Sequence, residues 1–159
     1  MWPEAVNAAK EHCAHIMVAV CGGKDDDLIE RGKLFVKLMD ACCRQQYVTG
    51  VYTSGVVFDP KFYKKGAEAM KDDDLPIHAW IWVGLYSNGQ TISAYTYGME
   101  TFGRREMEVL DVEGATAGDV WRFLSAMASY VLECDQTLED GQTIGFSADD
   151  IHDIKLSEG

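Results

Sequence analysis

The sequence is poor in proline and in positive charge: 159 residues hold three prolines, and 14 Lys and Arg stand against 26 Asp and Glu. The resulting net charge of −12 repels phosphate backbones and anionic lipid surfaces, which argues against nucleic-acid and membrane partners. A basic protein would instead be drawn toward the chain. The plainer account is that the charge keeps the domain in solution. No apolar run approaches the roughly 20 residues of a membrane span. Met1-Trp2-Pro3-Glu4 offers neither the basic start nor the apolar run of a secretory signal. No C-x-x-C pair occurs among Cys13, Cys21, Cys42, Cys43 and Cys134. An odd, partly adjacent set, with Cys21, Cys42 and Cys43 in apolar stretches, suits packing in a reducing cytosol better than a disulfide framework. Low-complexity segments and repeats of solenoid period are also missing. These absences predict a soluble cytoplasmic protein of one domain over residues 1–159, with a polar tail from about 148 to 159.

What is present is ordinary globular material, 47% hydrophobic and 25% charged. Pro3 to Glu11 reads as a short helix. His15 to Cys21, closed by Gly22-Gly23, reads as a buried strand. A long helix is expected from the Asp25-Asp26-Asp27 run to about Gln45, with Leu28, Phe35, Met39 and Cys42 as its core stripe. A strand over Val48 to Thr53 and a helix over Pro60 to Lys71 follow, the latter stopped by Asp72-Asp73-Asp74 and Pro76. Ile77 to Tyr86 and Thr91 to Tyr97 flank Asn88-Gly89, a strong hairpin dipeptide. Met107 to Val112 adds a third strand. Gly118 to Leu132 is a helix apolar nearly all round, and Thr143 to Phe146 is a last short strand. The order predicts an α+β sandwich: a mixed, largely antiparallel sheet covered by helices.

No segment supplies a complete catalytic set. Gly98-Met99-Glu100-Thr101-Phe102-Gly103-Arg104-Arg105 has the glycine spacing of a phosphate-binding loop, but lacks its lysine and hydroxyl residue. Gly22-Gly23 could form an anion nest, yet Asp25, Asp26 and Asp27 fill that positive helix end as caps. Cys21 has no histidine assignable as its base among His12, His15, His78 and His152. His12-Cys13-Ala14-His15 lacks a second ligand pair, so no metal is expected. Gly145-Phe146-Ser147 opens like a nucleophile elbow without the closing glycine. Tyr86, Tyr95, Tyr97 and Phe102 form an aromatic stripe suited to cross-strand packing or to a protein-binding face. No cofactor is implied.

Three stretches carry a resemblance: Glu30 to Val36, Ala94 to Met99 with Phe102-Gly103, and Asp140 to Ala148. Gly50 to Gly55 and Glu108 to Asp111 accompany them. Together they resemble a bacterial family known only as a numbered domain of unknown function, four-two-six-one in its series. That family carries sequence before the counterpart of Trp2-Pro3, so the expectation is a chain short at its N-terminus. It also continues differently after Ser147-Ala148, where this chain has Asp149-Asp150-Ile151-His152-Asp153. The resemblance implies association with toxin systems and brings no catalytic residues with it.

The leading expectation is therefore an immunity protein, not an enzyme. It would plug or cover the active site of a cognate intracellular toxin, NAD-hydrolysing or nucleolytic, whose cleft is basic. The partner-facing residues expected are Asp25, Asp26, Asp27, Asp72, Asp73, Asp74, Tyr95, Tyr97, Arg104, Arg105, Asp149, Asp150 and Asp153. The alternatives are a small-ligand module or enzyme with a pocket near Tyr95, Tyr97, Arg104 and Arg105, and an interaction domain of a larger assembly.

Overall fold

The computed structural model describes residues 2–23, 27–53, 55–147 and 150–157. The chain divides into two compact units, Met1–Trp80 and Ile81–Gly159. Each mixes helices with antiparallel strands, so the architecture is α+β. Among the described residues the strands form three separate sheets of two, three and two strands, with every pairing antiparallel. No described helix is long and apolar enough to cross a membrane.

The first unit contains α1 (Ala5–Glu11), α2 (Leu28–Cys43), β1 (Val51–Thr53), β2 (Val56–Phe58), α3 (Pro60–Ala69) and the single-turn α4 (Ile77–Trp80). Asp27 starts α2 by accepting from the Ile29 and Glu30 amides at 2.9 and 3.1 Å, which satisfies two otherwise orphaned donors. The buried positions of α2 are Val36, Met39 and Cys43. Met39 is thus core as expected and Phe35 packs half-buried on the cluster, while Cys43 takes the fully buried place expected of Cys42. Asp59 caps α3 through the Lys61 amide at 2.8 Å, and Pro60 occupies the first turn. Tyr63 then enters the core with Met39, Cys43 and Val51. Its ring meets Phe35, Phe58 and Phe62 edge-on at 6.3, 6.4 and 5.9 Å.

The expected buried strand over His15 to Cys21 does not form. These residues pair with no strand, and Ile16 and Met17 are 74% and 90% exposed. Only Val18 packs on the core cluster, and Cys21 is exposed. An apolar run satisfies the composition of a strand, but a strand also needs a neighbour to take up its backbone groups. The start of the expected strand Ile77 to Tyr86 is likewise α4, because Pro76 favours a helical first turn and its carbonyl accepts from the Ala79 amide at 2.8 Å.

The second unit is built from β3 (Trp82–Ser87), β4 (Thr91–Tyr97), β5 (Glu108–Glu113), α5 (Ala117–Glu133), β6 (Thr143–Ser147) and β7 (Asp150–Asp153). At the β3–β4 turn the Asn88 side chain accepts from the Gln90 and Thr91 amides at 3.0 and 2.9 Å, and Gly89 takes a positive φ of 94°. Helix α5 opens on a capping box between Thr116 and Asp119. It lays Val120 and Leu124 against Val83 and Ala94 of the sheet. Each such fully buried aliphatic side chain contributes about 1.5–3 kcal/mol by leaving water. The opposite side of α5 leaves Tyr130 45% exposed, so the helix is not buried all round. Residues 150–153 of the expected polar tail form β7, paired with β6 from Thr143↔Asp153 to Ser147↔Asp150.

Candidate functional site

The two faces of the β3–β4–β5 sheet differ in kind. Alternation turns Val83, Ala94 and Val109 toward α5. The other face carries Trp82, Gly84 and Tyr86 from β3 opposite Tyr97, Tyr95 and Ser93 from β4. Its four aromatics are 41–55% exposed. A β-carbon built on Gly84 would stand 2.6 Å from Tyr95 Cε1 and 2.7 Å from its hydroxyl oxygen. The Tyr95 ring therefore lies across β3 in space that only glycine leaves open. The Tyr86 ring stands 6.4 Å away, tilted by 44°. On β5, Glu108 is the register partner of Tyr95 and Glu113 that of Thr91, which places both carboxylates along the same face.

A groove of about 1340 Å³ also lies within the second unit. It is lined by β5, α5 and the β6–β7 hairpin, with Val109, Phe123, Met127 and Ile144 on its apolar walls. Phe123 anchors the hairpin by edge contacts to Phe146 at 5.6 Å and to the His152 ring at 4.8 Å. Tyr95, Arg104, Arg105 and Asp153 reach the lining, and Tyr97 does not. The expected Tyr95–Tyr97–Arg104–Arg105 set is thus divided between a sheet face and a groove.

The glycine loop that resembles a phosphate cradle holds an anion of its own. Gly98 and Gly103 take positive φ around a 3-10 turn over Met99–Phe102. The Glu106 carboxylate accepts from the Gly98 amide at 2.7 Å, the Glu100 amide at 3.4 Å and the Thr96 hydroxyl at 2.7 Å. Phe102 is buried beneath this turn, which removes it from the exposed aromatic stripe. Arg104 pairs with Asp135, and Arg105 stays exposed.

Of the expected acidic residues, Asp27 is spent on capping α2. Asp72, Asp73 and Asp74 are exposed after α3, with Asp73 in the left-handed region at φ 63°. Asp150 accepts from the Phe146 amide at 3.2 Å and contacts His152 Nε2 at 2.9 Å, so it holds the hairpin together. Asp153 is exposed at the hairpin end. Asp25, Asp26 and Asp149 lie outside the described residues. Helix α1 ends at Glu11, so His12 and His15 share no helical face. Among the described residues no group of three or more His, Cys, Asp or Glu could hold a metal ion.

Charge is divided unevenly along the chain. Met1–Trp80 has 12 Asp and Glu against 10 Lys and Arg, whereas Ile81–Gly159 has 14 against 4. Nearly all of the net charge of −12 therefore belongs to the second unit. Two of its four cations, Arg104 and Arg122, are already paired with Asp135 and Asp119.

Residues 95–159 match the family model described as a domain of unknown function (DUF4261). The matched segment runs from within β4 to residue 159 and contains every residue that lines the groove. Tyr95, Tyr97 and Glu108 also fall within it, while Trp82, Gly84 and Tyr86 precede it. No curated protein and no solved structure matches the chain.

Sequence reasoning alone missed Trp82, Gly84, Glu106 and Glu108 as parts of the site. Alternation over 82, 84 and 86 could have given Trp82, but Gly84 and Glu108 acquire their roles only through strand register.

Proposed function

We propose that this chain is an immunity protein that binds and inhibits a cognate bacterial toxin, of NAD-hydrolysing or nucleolytic type, by occluding a basic active-site cleft in the cytoplasm. One observation carries the reading: 14 acidic against 4 basic residues fall in the unit that also exposes four aromatics on one sheet face. Carboxylates steer a cationic partner and raise its encounter rate. Exposed tyrosine and tryptophan supply the rigid contact area from which binding hot spots are made. Such inhibition needs no catalytic group, since blocking an active site is an act of shape and charge.

A second reading rests on the groove, with Arg104 and Arg105 holding an anionic small ligand. The groove's volume of about 1340 Å³ exceeds the roughly 300–1,000 Å³ that drug-sized ligands fill. That size favours a segment of a protein partner over a metabolite. A thermal-shift screen against anionic metabolites separates the two, because only the second reading expects stabilisation.

Coexpression of this chain with the proposed cognate toxin tests the first reading. Restored growth is expected, and unrelieved toxicity with both proteins present would refute it.

A further inference from the structure

The geometry points to the outer face of β3 and β4 as a receptor for arginine side chains of a protein partner, seated on Tyr95 beside Tyr86, with Glu108 of the next strand adding negative charge to the face. This deepens the immunity reading by naming the chemistry recognised and the surface that recognises it, and it rests on that reading for the partner's biological identity.

Gly84 opens the space that the site uses. Because no side chain rises there, the Tyr95 ring settles over the strand, as the 2.6 and 2.7 Å approaches to a hypothetical β-carbon show. The ring rests there without being locked, and its open face is available to a stacking ligand. Tyr86, tilted 44° with its centroid 6.4 Å from that of Tyr95, makes the second side of a corner. Both rings remain about half exposed, 44% for Tyr95 and 53% for Tyr86. The electron-rich faces of such rings attract cations.

Charge completes the corner. Glu108 faces Tyr95 directly across the β4–β5 ladder, where same-face side chains stand about 5 Å apart at Cβ. Glu108 therefore adds negative charge to the same face, one strand over from Tyr95, and strengthens the attraction for a cation stacked on the ring. Guanidinium suits this arrangement better than ammonium. It is planar, stacks on an aromatic face, is weakly hydrated and can meet a carboxylate with two parallel donors. Nucleobases also stack on tyrosine, but their phosphates would meet the net negative charge of this unit. Trp82 and Tyr97 lie next along the same face as register partners, so an extended basic segment would find further aromatic surface.

The test uses the full chain with nona-arginine and nona-lysine peptides at about 150 mM salt, with affinities measured by calorimetry. Nona-arginine should bind at least about fivefold more tightly than nona-lysine. Tyr95→Ala should erase that preference. Gly84→Ala changes no charge yet displaces the ring, and should weaken nona-arginine to a similar degree. Should Tyr95→Ala unfold, as circular dichroism would reveal, Glu108→Gln with Tyr86→Leu replaces it. Equal binding of the two peptides, wild-type affinity in the variants, or preference for a single-stranded polynucleotide would each overturn the inference. Failure of toxin rescue with the arginine preference intact would remove the immunity reading alone. Rescue that survives Tyr95→Ala, with equal peptide affinities, would remove this inference alone.

Discussion

Tyr95 of β4 lies across Gly84 of β3, its ring occupying the space that a β-carbon at position 84 would fill. The contact is a relation between a small residue and the far end of an exposed side chain, so the ring can swing aside if displaced. Gly84→Ala should therefore cost no more than about 1 kcal/mol in urea denaturation. Ring-to-ring proton contacts between Tyr86 and Tyr95, expected in an NMR spectrum of the wild type, should be lost in the same variant. A loss of several kcal/mol, or undisturbed ring contacts, would contradict this geometry.

Gly145 has no such freedom around it. A β-carbon there would run into the carbonyl of Asp150 in the facing strand, and backbone cannot swing aside. Gly145→Ala should open the β6–β7 hairpin and with it one wall of the groove. Amide exchange at Ile144 and His152 checks this, with protection expected to collapse at both while that of β3 and β4 persists.

The start of α5 depends on a reciprocal pair. Thr116 Oγ accepts from the Asp119 amide at 3.2 Å, while Asp119 Oδ2 accepts from the Thr116 amide at 3.1 Å and hydroxyl at 2.6 Å. Thr116→Ala should lower stability by about 1 kcal/mol. The hydrogen bond from the Thr116 hydroxyl, then that from its amide and the Arg122 guanidinium, hold the Asp119 carboxyl below the usual carboxylate range. Because the folded value is the lower one, the contribution is present above the ordinary range and is lost as pH falls through the folded value. Asp119→Asn should flatten the acid limb of a stability-against-pH curve. An unchanged acid limb would show that the pair carries little.

Tyr63 makes the opposite prediction at high pH. Burial, reinforced by the charge of the nearby Cys43 thiolate, pushes its hydroxyl up to about 12 from the ordinary value of 10.0. The folded state then holds the proton more tightly than the unfolded chain. The stabilisation is complete below pH about 10 and is lost as pH rises toward about 12. Tyr63→Phe should remove this alkaline loss, read from denaturation midpoints between these two pH values. Identical alkaline limbs in the two proteins would refute the assignment.

Much of this fold was legible in the sequence where the signal is local. Asn88-Gly89 marked the hairpin because the turn chemistry resides in the Asn88 side chain and in the positive φ that Gly89 takes. Asp59-Pro60 likewise announced α3. The run from His15 to Cys21 misled because apolar composition says nothing about whether a neighbouring strand exists. The aromatic face was half legible. Tyr86, Tyr95 and Tyr97 stand out in the sequence, but Phe102 joined them only by proximity and turned out buried. Gly84 and Glu108 became part of the site through pairing with Tyr95, and register between distant segments cannot be read from either one alone. The near-miss phosphate loop failed for a related reason: its anion, Glu106, sits beyond the motif.

The measurement that tests the central claim most directly is growth rescue in cells coexpressing the proposed cognate toxin with one of three forms of this chain. The account predicts rescue by the wild type and by Asp72→Asn with Asp73→Asn and Asp74→Asn, which lowers charge only in the first unit. It predicts loss of rescue for Glu108→Gln with Glu113→Gln and Tyr95→Ala, at unchanged protein level. Rescue by all three forms, or by none, would contradict it.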